Sequence, residues 1–365
     1  MKSLYTCRRR LRGFSLVELM VALTIGLIIL AAVSTLFVNS KQTYTTQDSL
    51  ARLQENARFA MHFLIKDLRL AGYYGCMSDI TPDSVSSTLN GSDFVYNLQI
   101  PLEGVNNISG TVASPTGTWY PSANTTMPSN AIPGTDSVAI RLADAGSLIS
   151  LDGNMNTKSD VLTVNVTTGL IVNDIIMIAD CSSAEILQIT QINTTVPHLV
   201  HNQGAGTPGN SKDDLSKTYS KSTGPAGTRI MKFMTHQYFI RTGASGNPAL
   251  FRQANNAAAV ELVDGIENLQ ILYGKDTDND KVPNIYLKAG DAGLTSTADW
   301  GAVVSVRIGI LARTLNDPVT GQPKETDRDT GIYDVDGDGT NELNNPNDRY
   351  KRRLFQSVVQ LRNML

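Results

Sequence analysis

Residues 14–38 read FSLVELMVALTIGLIILAAVSTLFV and contain a single charged residue, Glu18. An α-helix rises about 1.5 Å per residue, so this stretch would be roughly 37 Å long as a helix. The hydrocarbon core of a bilayer is about 30 Å thick. Because no second stretch of this kind occurs in the 365 residues, the sequence predicts one membrane-spanning helix close to the N-terminus.

The charges before this stretch differ from those after it. Five of the first 13 residues are basic and none is acidic. Since basic residues stay on the cytoplasmic side, the larger C-terminal part is expected on the outer face of the membrane. Without its first 13 residues the chain has 26 basic and 34 acidic residues, a net charge of −8. Such an acidic body does not attract nucleic acid through phosphate neutralisation, so nucleic acid is excluded as a partner.

An ordinary secretory signal peptide is the alternative interpretation of the N-terminus. Ala32-Val33-Ser34 would then supply small residues at the cleavage site. Two features oppose this interpretation. The apolar run is longer than the usual 7 to 15 residues. It also carries an ionisable carboxylate near its start, for which a segment that is removed has no use.

The hexapeptide at residues 13–18, GFSLVE, directly precedes and opens the apolar run. It resembles the class III signal of type IV pilins and of the pseudopilins of type II secretion systems. The resemblance implies that a prepilin peptidase cuts between Gly13 and Phe14, removing residues 1–13 as a leader, and that Phe14 is then N-methylated. It also implies that the helix stays in the mature protein, because the cut precedes it.

Glu18 is costly at membrane depth unless it is neutralised or finds a cation. The resemblance supplies one, the α-amino group of Phe14, normally that of a neighbouring subunit. This pairing would set the register of one helix on the next. A carboxylate that reaches the membrane interface from the first helical turn is the alternative.

Residues 39–75 predict a continuation of the helix in amphipathic form. Leu50, Leu53, Ala57, Ala60, Leu64 and Leu68 recur at spacings of three and four residues. The charged residues, Asp67 among them, are expected mostly on the other faces, and Gly72 and Gly75 are expected to end the helix. The pattern indicates a helix of roughly 55 residues whose second half packs on a globular part, although a coiled-coil stalk would show a similar stripe.

From residue 76 onward, short runs rich in β-branched residues lie between turn residues, a pattern typical of antiparallel sheets. Candidate strands lie at 137–143, 160–166, 174–180 and 184–192, and others begin near 230, 248, 266, 303 and 352. We expect a first β-rich lobe at 76–201, a polar loop or linker at 202–228, and a second lobe at 229–365. The fold class is therefore α+β, similar to type IV pilins, with a long N-terminal helix packed on antiparallel β-rich lobes.

The second lobe carries a closer resemblance. VDGIENLQILYGKDTDNDKVPN, then VRIGILART and the terminal RRLFQSVVQLRN, are similar to PilW-type minor pilins of type IV pili, as is AGYYGC together with IADCSSAEI. The resemblance implies a non-enzymatic assembly protein in a priming or tip complex. It also implies that the partners are other minor pilins, the major pilin, the prepilin peptidase and the inner-membrane assembly platform. The protein would sit in the inner membrane, with its C-terminal part in the periplasm, and then enter the extracellular fibre.

Two other functions stay open at this point. A minor pseudopilin of a type II secretion system shares the same N-terminal features. A membrane-tethered adhesin would use its β lobes to bind a surface ligand. The chain also carries no constellation of nucleophile, base or metal-binding histidines that would support catalysis.

The chain has three cysteines, and Cys7 lies in the leader. Its removal would leave Cys76 and Cys181 in an exported domain, where oxidising conditions favour a disulfide. The bridge would close a loop of about 105 residues, which the loop-entropy estimate values at roughly 4 to 5 kcal/mol. Two separate buried thiols are the alternative.

Residues 334–342, DVDGDGTNE, predict a structural calcium site. Carboxylates at positions 1, 3 and 5 with a glycine at position 6 let a tight loop turn its side chains toward one hard cation. The candidate ligands are Asp334, Asp336, Asp338, Thr340 and Glu342. Position 12 is Asn345 rather than the bidentate glutamate, which predicts modest affinity. A solvated turn between strands is the alternative.

A second acidic loop, at residues 276–281, repeats the carboxylate spacing. Asp276, Asp278 and Asp280 stand at positions 1, 3 and 5, and Lys281 replaces the glycine. A positive charge at that position disfavours a cation, so this loop is the weaker calcium candidate.

Overall fold

The computed structural model describes residues 13–77, 84–91, 94–144, 146, 149–204, 206–221, 227–316, 328–344 and 346–363. Residues 1–12 of the predicted leader and Asn345 of the acidic loop lie outside these ranges.

Helix α1 (Leu16–Leu68) runs without a break from the start of the apolar stretch to the globular part. Its first half is exposed throughout, whereas its second half buries the predicted stripe at Leu53, Ala57, Ala60 and Leu64. Gly72 follows with a φ of 69°, a conformation that glycine adopts without steric cost. The predicted long helix and its division into two halves are thus present.

Twenty strands follow within the described ranges, most of them short. In chain order they are β1 (Val85–Ser87), β2 (Leu102–Val105), β3 (Ser109–Thr111), β4 (Ser114–Thr116), β5 (Ser137–Ala143), β6 (Ile149–Ser150), β7 (Leu162–Thr163), β8 (Ile175–Ala179), β9 (Ala184–Gln188), β10 (Gln191–Asn193), β11 (His198–Val200), β12 (Arg229–Thr242), β13 (Pro248–Ala254), β14 (Val260–Asp264), β15 (Ile266–Lys275), β16 (Ile285–Leu287), β17 (Val303–Arg313), β18 (Ile332–Tyr333), β19 (Leu343–Asn344) and β20 (Arg352–Gln360). A short helix, α2 (Thr297–Gly301), precedes β17.

Two sheets dominate. The larger has nine strands with β1-β9-β8-β12-β13-β14 as its main order, and β2, β5 and β6 join it through β5 and β12. The second sheet has the order β16-β15-β17-β20. Among the strands described, β1 pairs with β9 in parallel, and the other pairs within these two sheets are antiparallel. This architecture confirms the expected α+β, pilin-like fold.

Helix α1 lies across the second sheet. Its buried stripe shares one core with apolar residues of β15 and β17, for example Ile271, Ile308 and Ile310, and with Phe355 and Val359 of β20. The larger sheet adds residues of β5 and β12 to the same core. The helix is therefore held by both sheets at once.

Strand β12 begins at the predicted lobe boundary and is 14 residues long. It pairs with β5, β6 and β8 on one side of that boundary and with β13 on the other. The predicted division at residue 229 stays a prediction. The 202–228 segment contains no helix or strand within its described residues, yet it buries Leu215 and Tyr219 in the core of the first lobe.

Candidate functional site

The predicted processing and assembly residues lie at the exposed start of α1. Ser15 caps the helix in an extended conformation, and the Leu19 N–H donates to its carbonyl. The Phe14 side chain is 82% exposed, and Glu18 stands in the first turn, where a carboxylate complements the helix dipole. Gly13 has open space around it. These residues are accessible, and the roles expected of them stay predictions.

The following turns of α1 carry exposed apolar side chains on every face, from Leu16 to Val38. By length and composition this helix can cross a membrane, and none of the apolar stretch is buried inside the protein. Water is a poor solvent for such a surface, so this half of α1 needs lipid or other helices around it.

The last turn of α1 contains a buried carboxylate that sequence analysis had expected on a solvent-facing side. Asp67 is only 5% exposed. Its Oδ2 lies 2.6 Å from Nδ1 of His236 and accepts a hydrogen bond of 2.6 Å from the Tyr238 hydroxyl, both on β12. The Arg252 guanidinium lies 3.9 Å from the same oxygen of Asp67. Asp67 thus joins the helix to the central strand of the larger sheet.

The protonation of Asp67 follows from these contacts. Burial raises the pKa of the carboxyl, but the hydrogen bonds from His236 and Tyr238 and the charge of Arg252 outweigh burial, so the pKa is lowered. The sequence does contain an indication that Asp67 is buried. Residue 67 stands seven positions after Ala60 and three after Leu64, on the edge of the apolar stripe.

The chain directly after α1 is also fixed. Cys76 and Cys181 form a disulfide with their Cα atoms 4.8 Å apart. The Gly72 N–H donates to the carbonyl of Arg141 on β5. The amide of Asn363, just beyond β20, donates to the carbonyls of Arg69 and Ala71 at 3.3 and 3.2 Å. The end of the helix is therefore attached to the globular part at several separate points.

The 334–342 loop draws its acidic side chains together. One oxygen each of Asp334, Asp336, Asp338 and Glu342 lies within 4.8 Å of the others. The Asp334 carboxylate also accepts backbone N–H groups of residues 337, 338 and 339 at 2.7 to 3.2 Å, which closes the turn. The Thr340 hydroxyl donates to Asp338 at 2.5 Å.

A lysine from another segment enters this cluster. The ammonium of Lys288, which follows β16, lies 2.7 Å from Asp338, 3.3 Å from Asp336 and 4.0 Å from Glu342. Burial lowers the pKa of Lys288, but these carboxylates outweigh burial and raise it above its usual value. Burial and the nearby Glu342 raise the pKa of Asp336 to about 6, although Lys288 opposes them. The loop thus holds a cationic group of the protein itself, which sequence analysis missed.

The loop also rests closely on the second sheet. Gln356 of β20 donates its side-chain amide to the carbonyl of Val335 at 3.1 Å. Gly309 on β17 faces the same carbonyl, and a Cβ at that position would collide with it. Glycine is therefore required at residue 309 for the loop to reach the sheet.

The second acidic loop adopts a comparable turn. Asp276, Asp278 and Asp280 also bring one oxygen each within 4.8 Å of the others. Asp276 accepts the backbone N–H groups of Asp278, Asn279 and Lys281 at 3.1, 2.7 and 2.7 Å. Lys281 has a φ of 67°, so it takes up the left-handed conformation for which glycine is favoured at this position.

Two comparisons with protein families match parts of this chain. Residues 237–363 match a family described as Type IV Pilus-assembly protein W. Residues 8–34 match the prokaryotic N-terminal methylation motif. The first match spans both acidic loops and the second sheet, and the second includes Gly13, Phe14 and Glu18. No curated protein and no solved structure matches the chain.

Proposed function

We propose that this chain is a minor pilin of the PilW type and that within type IV pilus assembly it acts in a complex that primes the fibre and stays at its tip. Membership of this family implies contacts with other pilins and with the assembly machinery. The matched families are structural components of pili, so the role is one of assembly and not of catalysis.

The observation that carries the proposal is the two-part helix α1. Its second half is buried against both sheets, and its first half is an exposed apolar rod of membrane-spanning length. Such a rod is stable in a bilayer and equally in a bundle of similar helices. Transfer from membrane to fibre would therefore exchange one apolar environment for another and leave the globular part unchanged.

We further propose that prepilin peptidase cuts between Gly13 and Phe14 and that the new N-terminus is methylated. Both residues are accessible at the start of α1. Glu18, one turn into the helix, would then pair with the α-amino group of Phe14 in a neighbouring subunit. This pairing is polar in an otherwise apolar interface, so it would fix the axial register.

The anchored chain belongs to the inner membrane. We propose that its globular part lies in the periplasm before assembly and outside the cell afterwards, and that the inner-membrane assembly platform, the major pilin and the other minor pilins are its partners. The disulfide at Cys76 and Cys181 supports an oxidising location.

We also propose that the 334–342 loop binds Ca²⁺ as a structural ion. Its donors are oxygens, as hard cations prefer, and four of them already converge. The Oδ2 atom of Asp336 is buried, and the Lys288 ammonium lies 3.3 Å from it. Binding would require Lys288 to withdraw, because its ammonium contacts the same carboxylates. The 276–281 loop is a weaker candidate for the same ion.

The decisive experiment is an in-frame deletion complemented with the full-length chain. We expect the deletion to remove surface pili and twitching while leaving type II secretion intact. Loss of secretion with normal pili would instead identify a pseudopilin, and normal pili with lost surface attachment would identify an adhesin. Complementation with Glu18→Ala should fail, whereas Glu55→Ala, on an exposed face of the same helix, should restore pili.

A further inference from the structure

Strand β20 is the outer strand of the second sheet. It is nine residues long and pairs with β17 along its whole length, without a register shift. Within the described ranges of the chain, no strand pairs with its other side. The sheet therefore ends in an edge of unusual length for this protein.

The outward-facing backbone groups of this edge can be assigned from the ladder. The Leu361 N–H donates to the carbonyl of Val304, and the Thr314 N–H donates to the carbonyl of Lys351, so the odd-numbered positions face β17. In an antiparallel ladder alternate residues point the other way. The N–H and C=O groups that point away from the sheet are those of Arg352, Leu354, Gln356, Val358 and Gln360.

Within the described residues, the other edge strands of the two main sheets are shorter than β20. Edge strands β1 and β16 have three residues each. Strand β14 carries Glu261 and Asp264, and Asn56 of α1 donates to the carbonyl of Asp264. By contrast, residues 354–360, LFQSVVQ, contain no charge and no proline, and Val358 is 56% exposed. Proteins that do not use such an edge usually shorten, charge or cover it.

We infer that the β20 edge accepts an extended strand from a neighbouring pilin-type subunit of different sequence. The inference rests on the proposed assembly role and names the surface by which the globular part meets its neighbour. The partner fits as an extended segment of about nine residues with alternating apolar side chains, because the five outward-facing residues alternate along the nine residues of β20. A carboxylate near its end would complement Arg353, which is exposed at the start of β20.

A second copy of this chain does not fit the edge. Antiparallel pairing of two β20 strands places a two-fold axis perpendicular to the sheet. Because α1 lies across the face of that sheet, the axis would point the two helices in opposite directions. Two such chains could not both enter one membrane from the same side. Parallel pairing in register would set Arg353 beside Arg353, and like charges opposite each other are unfavourable. The described edge strands β1, β2, β14 and β16 have only three to five residues each.

The test uses the full-length chain in cells that assemble pili. A photoreactive phenylalanine analogue at position 358 should crosslink to a strand segment of another pilin-type protein. The same analogue at Val172, an exposed loop position 46% open to solvent, should not. Crosslinks from position 358 only to a second copy, or no crosslink there in assembled pili, would overturn the inference.

Substitutions test the same edge by function. Val358→Pro removes an outward N–H that β17 does not use, so incorporation into fibres should fall about tenfold, whereas Val358→Thr should stay within about twofold of the unsubstituted chain. If Val358→Pro lowers the membrane level of the protein, Val358→Lys replaces it, with Val172→Lys as control. Normal incorporation of a folded edge variant would refute the inference. If Glu18→Ala abolishes piliation while a folded β20 variant is incorporated normally, the inference about β20 fails and the proposed assembly function stands.

Discussion

Replacement of Asp67 by alanine should destabilise the attachment of α1 more than any other single change of an acidic residue in that helix. The carboxylate is 5% exposed and takes two short contacts of 2.6 Å, from His236 and Tyr238. Asp67→Ala would remove the carboxylate partner of the buried His236 and leave the Tyr238 hydroxyl with only the Phe63 carbonyl at 3.5 Å as acceptor. Removing one member of a buried charged cluster costs about 3 to 5 kcal/mol. Asp67→Asn keeps an acceptor of the same shape and should cost about 1 to 3 kcal/mol.

The assay is urea unfolding of the full-length protein in detergent, followed by tryptophan fluorescence. Both tryptophans, Trp119 and Trp300, are buried, so unfolding should shift their emission. Asp48→Ala is the matched control, because Asp48 lies on the same helix and pairs with Arg52 at an exposed site. Its cost should be small, because exposed ion pairs contribute little to stability. A cost of Asp67→Ala no larger than that of the control would refute the reasoning.

The lowered pKa of Asp67 adds a pH dependence to this prediction. The stability that the carboxylate contributes is fully present above its ordinary pKa of 3.8 and is lost as the pH falls toward the lower pKa of the folded state. The difference between the unsubstituted protein and Asp67→Asn should therefore shrink between pH 5 and pH 2. An unchanged difference over that range would show that the charge of Asp67 contributes nothing.

Four further outcomes are expected. Gly13→Val should block processing, because a branched side chain would not fit a cut site selected for glycine. Mass spectrometry should find the leader intact in this variant. A cut after residue 34 in the unsubstituted protein would contradict the pilin N-terminus. Glu18→Ala should be processed and inserted but excluded from fibres, and normal incorporation would show that register is set elsewhere. The Cys181→Ala variant should be less stable by up to roughly 4 to 5 kcal/mol. Free thiols that titrate in the unfolded, unreduced mature protein without substitution would exclude the disulfide. The melting temperature should be higher in millimolar calcium than in chelator, and Asp336→Ala should abolish this difference. An equal melting temperature in both conditions would contradict the calcium proposal.

The features that sequence predicted well are those with a local signal. The helix stripe repeats every three to four residues, and the runs at 137–143 and 266–274 are rich in Val, Ile, Leu and other apolar residues, so each element can be identified within its own segment. The strand predicted at 160–166 is much shorter in the structure. Only Leu162 and Thr163 form β7, because the Asp160 carboxylate instead accepts the N–H of Thr157 and closes a turn.

The features that sequence missed depend on contacts between distant segments. Lys288 lies 46 residues before the acidic loop that it enters, and nothing in its own neighbourhood indicates that contact. Leu215 and Tyr219 are isolated apolar residues in a polar segment, so no period reveals that they are buried. Asp67 was misplaced for a different reason. A carboxylate at the margin of an apolar stripe is usually solvated, and only the position of His236 and Tyr238 on β12 makes burial favourable.

The attachments at the end of α1 bear on how the protein would withstand mechanical load. Motor-driven extraction from the membrane would put tension on the helix along its axis. That tension would reach the globular part through Asp67, Gly72 and Cys76, which connect to β12, β5 and the β8–β9 turn. It would also pass from the carbonyls of Arg69 and Ala71 to Asn363, which follows β20. Because these connections run to separate strands, they would share the force in parallel instead of breaking one after another. A subunit built in this way should keep its head joined to its helix under pulling forces that would peel a single strand from a sheet.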